Sequence, residues 1–385
     1  MIDLIISLDY EVFGNGSGDV RLSMIEPTRR LMSVCEPYGA KISIMFEVGE
    51  YWAMERAEEE GSLGLSYAPS RDIAAQVREA ARRGHDVQLH VHPWWVDASF
   101  ETGRWRLHPE FRRITDLPNG LGGVGDPLSV VGVLSEGKRT LDDMIRPVYA
   151  DYQCLVYRAA MFWGQPSGDL IKGLKKVGLI ADTSVVSGLH ETMPVPTDYR
   201  RAVSNAGYWW TGADDVAQPG PKGENIIELP VHSQMQPYLC NLKWTKLATT
   251  LKRRRVERDN AHGHGMMEAR QSTEPLGQVV RKLCSRRPVK YDFCKFSGRE
   301  MICWLQRLMA KERHGGEGVH TPVVMLGHSK DFWNERNLDT FLRFVRRDCE
   351  GRVRFSTLAE VVKRIVQEDE DPREMAAVRP SGTGG

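Results

Sequence analysis

Gly84-His85-Asp86-Val87-Gln88-Leu89-His90-Val91-His92-Pro93-Trp94-Trp95 is the stretch on which the reading of this chain turns. Just upstream, residues 71–83 repeat apolar side chains at helical spacing and finish on a basic turn, with Gly84 as C-cap. From Asp86 to His92 the period changes to two. Val87, Leu89 and Val91 fall on one face of a strand, and Gln88, His90 and His92 on the other. The two imidazoles therefore point the same way, roughly 6.6 Å apart on a strand rising about 3.3 Å per residue. Pro93 has no N–H for a ladder and ends the strand. Two imidazoles on one strand face at a strand end are a candidate metal pair, since Zn–N bonds of roughly 2.0–2.1 Å let both reach one ion. The plain alternative is a half-buried polar face.

Outward from this stretch the chain alternates strand and helix. Residues 4–11 form an apolar run that ends in two carboxylates, Asp9 and Glu11. A helix over 25–38 with Pro27 in its first turn follows, then a strand over 41–47. Further strands are expected at 154–159, 178–182, 226–231 and 323–328. Helices are expected near 138–147, 167–177, 335–347 and 357–367. Such alternation predicts an α/β fold with a largely parallel sheet and crossover helices. Two stretches break the rhythm. Residues 97–140 are Gly- and Pro-rich and read as an insertion. Residues 241–290 carry Lys252-Arg253-Arg254-Arg255 and Arg286-Arg287, with few apolar residues between about 252 and 275. This second insertion either offers its basic run to a phosphate-bearing substrate or presents a solvated helix face. Its His262-Gly263-His264 has no strand to orient it and is set aside as a metal site. One domain over 1–367 is expected, with a disordered tail over 368–385.

Composition narrows the class. A hydrophobic content of 41% supports a sizeable core, and a net charge of +1 disfavours nucleic acid or an anionic membrane as the main partner. The longest apolar runs are far short of the ~20 residues of a membrane helix. A strand opens almost at Met1, which leaves no room for a secretory signal. The seven cysteines are scattered without a CxxC pair, so neither a disulfide framework nor a cysteine zinc module is indicated, and a cytoplasmic location is expected.

Five strands end in residues with ligand or acid–base chemistry: Asp9 and Glu11, His90 and His92, Arg158, Asp182, and His328. In parallel α/β folds, and in barrels above all, that end of the sheet is where sites are assembled from several strands.

Taken in order, these motifs resemble the polysaccharide deacetylase (NodB-homology) family, also called carbohydrate esterase family four. Ser7-Leu8-Asp9-Tyr10-Glu11 is similar to the family's Thr-Phe-Asp-Asp-Gly, with Tyr10 at the usual second Asp and the acid moved to Glu11. Gly84-His85-Asp86 with His90 and His92-Pro93 resembles Gly-His-Glu followed by His-x-x-x-His-Pro, with the histidines two apart instead of four. Tyr157-Arg158-Ala159 with Gly164 is similar to Arg-x-Pro-Tyr-Gly, without the Pro-Tyr. The segment 179–184 and Leu326-Gly327-His328 match the last two motifs. The resemblance runs over residues 2–362, with the two insertions between motifs.

The resemblance implies an irregular (β/α) barrel, commonly of seven strands. It implies a divalent metal, zinc first, held by Glu11, His90 and His92, with Asp9 as general base. Arg158 would keep Asp9 ionised, His328 would protonate the departing amine, and Asp182 would partner one of the catalytic groups. The alternative assignment makes Asp9 the ligand and Glu11 the base. The implied substrate is an N-acetylated amino sugar or glycan precursor. Hydrolysis of another C–N amide, a formamide or cyclic ureide, and glycan binding without turnover are the competing readings. Phe46, Trp94, Trp95, Phe162, Trp163 and Trp333 lie near the motifs and offer rings for a sugar face.

Overall fold

The computed structural model describes residues 1–14, 16–237, 285–312 and 320–370. Lys252 to Arg255, His262, His264 and the tail from residue 371 lie outside the described residues.

Strand β1 (Ile2–Tyr10) is buried along its whole length, as a strand flanked on both edges and covered on both faces must be. It pairs in parallel with β2 (Ile42–Glu47) through its second half and with β14 (Thr321–His328) from end to end. The sheet continues through β3 (Asp86–Val91), β6 (Val156–Ala159), β7 (Ala181–Asp182) and β11 (Ile227–Glu228), all parallel. A short antiparallel edge, β10 (Trp209–Trp210), completes that side, and β15 (Val353–Phe355) pairs with the start of β1. The order is β10-β11-β7-β6-β3-β2-β1-β14, with β15 off this path. Val231, just past β11, bridges both Val186 and Val324 of β14. Three two-stranded ribbons lie apart: β4 (Ser99–Glu101) with β5 (Arg104–Arg106), β8 (His190–Glu191) with β9 (Thr197–Asp198), and β12 (Ser233–Pro237) with β13 (Arg286–Lys290). The mixed α/β architecture read from the alternation is present.

The helices are α1 (Glu26–Cys35), α2 (Val48–Glu59), α3 (Pro69–Arg82), α4 (Val130–Ile145), α5 (Gly168–Val177), α6 (Gly298–Glu312), α7 (Glu335–Asp348) and α8 (Leu358–Glu370). Helix α4 starts at Val130 and not near 138, so the first insertion ends sooner than expected. Ser129 caps it by accepting from the Gly132 N–H. Gly132 and Gly137 blur the apolar stripe in sequence, and Gly137 is where a Cβ would lie 2.8 Å from Leu89 Cδ1 of the sheet. Helices α2 and α6 escape the pattern reading. The buried face of α2 includes Glu50 and Gly49 and so shows no clean apolar period. At the end of the stretch expected as a second insertion, residues 286–290 form β13. Among the described residues no helix is long and apolar enough to cross a membrane.

Period-two alternation places Ile5, Ser7 and Asp9 on one face of β1. Deep in the sheet that face is apolar: Ile5, Met45, Val156, Ala181, Ile227, Val324 and Leu326 form one cluster with Leu358, Val361, Val362 and Ile365 of α8. Towards the C-terminal strand ends the buried residues turn polar, with Ser7, Asp9, His90 and Arg158. Leu4, Ile6 and Leu8 belong to a second, larger core with the other helices.

Candidate active site

Strand register brings the motif residues together. Asp9 pairs with His328 across β1 and β14, Glu47 with His90 across β2 and β3, and His90 with Arg158 across β3 and β6. A cavity of about 560 Å³ opens there, lined by Asp9, Glu11, His90, His92 and His328 among others. Arg158 is fully buried behind Asp9 and does not line it.

Glu11, His90 and His92 each offer one ligand atom, and the three atoms lie within 4.8 Å of one another. His92 Nε2 is 2.8 Å and His90 Nε2 3.6 Å from Glu11 Oε2. Donors around one ion at roughly 2.0–2.1 Å stand about 3.3 Å apart in a tetrahedron, so this donor set fits zinc. His90 Nδ1 contacts the Arg158 carbonyl at 2.8 Å, which leaves Nε2 for the cavity. The other oxygen of Glu11, Oε1, accepts from Lys330 Nζ at 2.7 Å, and the same ammonium donates to the Val12 carbonyl at 2.7 Å. Lys330 thereby holds Glu11 with only Oε2 facing the imidazoles.

Asp9 is ion-paired through Oδ1 with Arg158, whose guanidinium also reaches Ser7 Oγ at 3.0 Å and the Thr183 carbonyl at 3.2 Å. Its other oxygen lies 3.5 Å from His328 Nε2. Burial opposes the charge on Asp9, but Arg158, then His90 and His328, outweigh it and hold its pKa below the ordinary value. Glu11 is held well below its ordinary value against the same burial, chiefly by Lys330 and His92. Burial lowers the pKa of His328 despite Asp9 and Glu11. His90 goes the other way, because Glu11 and Asp9 outweigh its burial.

Asp182 is not brought to this group. It lies in β7 opposite Tyr157 and Glu228, fully buried and away from the cavity lining. Its Oδ1 accepts from Ser184 Oγ at 2.6 Å, and Ser184 Oγ accepts from the Ala159 N–H at 2.8 Å. Burial raises the pKa of Asp182, and burial together with Asp182 raises that of Glu228 far more. Of the expected rings, Trp94, Phe162 and Trp163 line the cavity, whereas Phe46 and Trp95 are fully buried.

Several residues of the site were not singled out in sequence. Glu47 ends β2 as the others end theirs, and the same strand-end signal applies to it. Its carboxylate caps α2 through the Gly49 and Glu50 N–H groups and accepts from the His92 N–H at 2.7 Å, which fixes the backbone at His92. Lys330, Lys295 and Lys290 also line the cavity. Lys330 stands two residues after His328, a spacing that offered a weak signal; the other two follow from the β12–β13 ribbon.

Among solved structures the fold is similar to one described as "putative polysaccharide deacetylase from Mycobacterium smegmatis", at 12% identity and a TM-score of 0.45, over 100% of this chain and 94% of that one. It is also similar to Puue allantoinase, at 9% identity and a TM-score of 0.44, over 96% and 91% of the two chains. A GH57-type branching enzyme from Pyrococcus horikoshii is similar at 13% identity and a TM-score of 0.49, over 94% of this chain and 70% of that one. No protein-family model matches the chain, and no curated protein sequence does either.

Proposed function

We propose that this chain is a metal-dependent hydrolase of a C–N amide, with an N-acetylated sugar or glycan precursor as the substrate class that its ordered motifs imply. One observation carries the reading: Glu11, His90 and His92 converge within 4.8 Å beside an Asp9 that Arg158 keeps ionised. Of the strands in parallel pairing, β1, β2, β3, β6, β7, β11 and β14, with the Val231–Val324 bridge and with β15 left outside the path, are read as an irregular seven-stranded barrel within a single domain. A divalent ion, zinc for this donor set, supplies Lewis acidity towards the carbonyl and lowers the pKa of water. The chain's residues do the rest. Glu11, His90 and His92 hold the ion, with Lys330 and Glu47 fixing their orientation. Asp9 takes the proton from the attacking water. His328 is neutral at rest because burial lowers its pKa, so it must receive a proton before it can act as an acid. Asp9 Oδ2 lies 3.5 Å from His328 Nε2, a path by which the abstracted proton reaches the departing amine. Asp182 is read as a brace for the end of β6, acting through Ser184.

The test is metal analysis of the purified chain combined with a screen for acetate release from N-acetyl sugars. One equivalent of metal and acetate release that stops on chelation are expected. Metal without acetate, but with turnover of formamides or cyclic ureides, would move the activity to the second amide class. Absence of stoichiometric metal would favour glycan binding without turnover.

A further inference from the structure

Among the lysines that line the cavity, the proposed chemistry leaves Lys290 unused; Arg112, the other cation of the lining, donates to the Pro109 carbonyl at 3.3 Å and the Pro194 carbonyl at 2.8 Å. Lys330 is tied to Glu11, and Lys295 is held by Asp292 at 2.8 Å and Asp331 at 3.5 Å. Lys290 differs from both. It is half-buried and lines the same cavity, with its ammonium 4.1 Å from the centre of the Phe162 ring. Among the described residues no carboxylate lies within ion-pair distance of it.

Its position is built into the fold. Lys290 ends β13 opposite Ser233, and the next residue donates its N–H to the His232 carbonyl at 2.8 Å. Asp292 then bridges Leu326, and the Phe293 N–H donates to the Leu326 carbonyl at 3.0 Å. The backbone is thus fastened to β14, the strand that ends at His328. The ammonium sits over the Phe162 ring, and the cavity wall also includes Val186, Leu189 and Pro288, while Asp292, Asp9 and Glu191 favour its charge from beyond ion-pair distance. Such a wall leaves a charge poorly solvated, and burial pushes the Lys290 pKa down to about 8. A cation in that setting is stabilised by an anion that arrives with the ligand, and in a low-dielectric wall the attraction is strong.

The geometry points to Lys290 as the recognition group for an anionic substituent, a carboxylate or a phosphate, on the substrate whose amide is cleaved. This rests on the hydrolase reading and narrows it: the substrate is an acidic N-acyl compound and not a neutral glycan.

The test uses the full chain loaded with zinc, as wild type, Lys290→Met and Lys290→Arg. Each is titrated calorimetrically at about pH 7 with acetate and, separately, with inorganic phosphate. Saturable binding of at least one anion by the wild type is expected, weakened about tenfold in Lys290→Met and by less than about threefold in Lys290→Arg. Preference for acetate assigns a carboxylate substrate, and preference for phosphate a phosphorylated one. No saturable binding, or equal affinity in Lys290→Met, overturns the inference. Acetate release from uncharged N-acetylglucosamine by the same preparations separates the two claims. Release at equal rates in wild type and Lys290→Met keeps the hydrolase reading, and only equal anion affinity in the two preparations removes Lys290 from recognition. Loss of anion affinity in Lys290→Met with no amide hydrolysed by the wild type keeps the anion site and removes the hydrolase.

Discussion

Asp9 and Asp182 occupy the same kind of place, a buried carboxyl at the end of a parallel strand, yet their surroundings are opposite. Asp9 faces Arg158 and is kept ionised; Asp182 faces Glu228, another carboxyl, and both are pushed towards their protonated forms. Burial raises both and Asp182 raises Glu228 further, although the hydrogen bond between them lowers Asp182; at Asp9 a guanidinium outweighs the burial. The difference teaches that a buried strand-end acid stays ionised where a neighbouring strand supplies a cation. Asp182 and Glu228 are both fully buried, as a hydrogen-bonded pair near its neutral form can be at modest cost.

The sharpest way to break this contrast is Asp9→Asn, which keeps the shape and removes the basicity. Turnover should fall by about 10²–10⁴-fold while metal content, read by elemental analysis, stays at the wild-type level. A parallel loss of metal would make Asp9 the ligand and pass the role of base to Glu11.

Arg158→Met attacks the same pair from the other side. It strands a buried carboxylate, and denaturant unfolding should show a loss of about 3–5 kcal/mol. The double variant Asp9→Asn with Arg158→Met should be less destabilised than the sum of the single changes, because the two groups act on each other.

At the other pair the pH dependence has the opposite sign. Glu228 has a folded pKa raised above 4.5, so its unfavourable contribution grows as pH rises from 4.5 towards the folded value. Asp9 is lowered from 3.8, so its contribution is complete above 3.8 and is lost as pH falls through the folded value. Glu228→Gln should therefore gain stability over wild type as pH goes from about 5 to about 8, seen as a melting midpoint that declines less. A midpoint difference that stays constant across that range would show that Glu228 does not titrate there.

The smallest effect is expected for Asp182→Asn. An amide replaces a carboxyl that is already shifted towards its neutral form, so stability should change by less than about 1.5 kcal/mol. Turnover should stay within about twofold, which a residue acting on the substrate would not allow. A loss approaching that of Asp9→Asn would return Asp182 to the catalytic group and erase the contrast.

Much of the site was legible from local pattern. Asp9, Glu11, His90, His92 and His328 were found because apolar runs of period two or longer end on them, and the structure gathers all five around one cavity. The same signal also picked out Asp182, because a strand end looks alike whatever lies across from it. Helix α2 was missed for a related reason: its buried face holds Glu50, which accepts from the Val12 N–H at 2.9 Å, so burial there follows a hydrogen bond and not hydrophobicity.

By itself the sequence determined the alternation of strand and helix, the faces of β1 and β3, and the donors at their ends, since these depend on side-chain periods of 2 and 3.6 residues. Only the tertiary structure decided which charge meets which. Arg158 reaches Asp9 across 149 residues of chain, and Lys330 reaches Glu11 across 319. Those pairings depend on strand order and register, and they set which carboxylate is ionised and which oxygen of Glu11 faces His90 and His92. Electrostatic energy depends on distance through space and on burial, and neither is a property of neighbours in sequence.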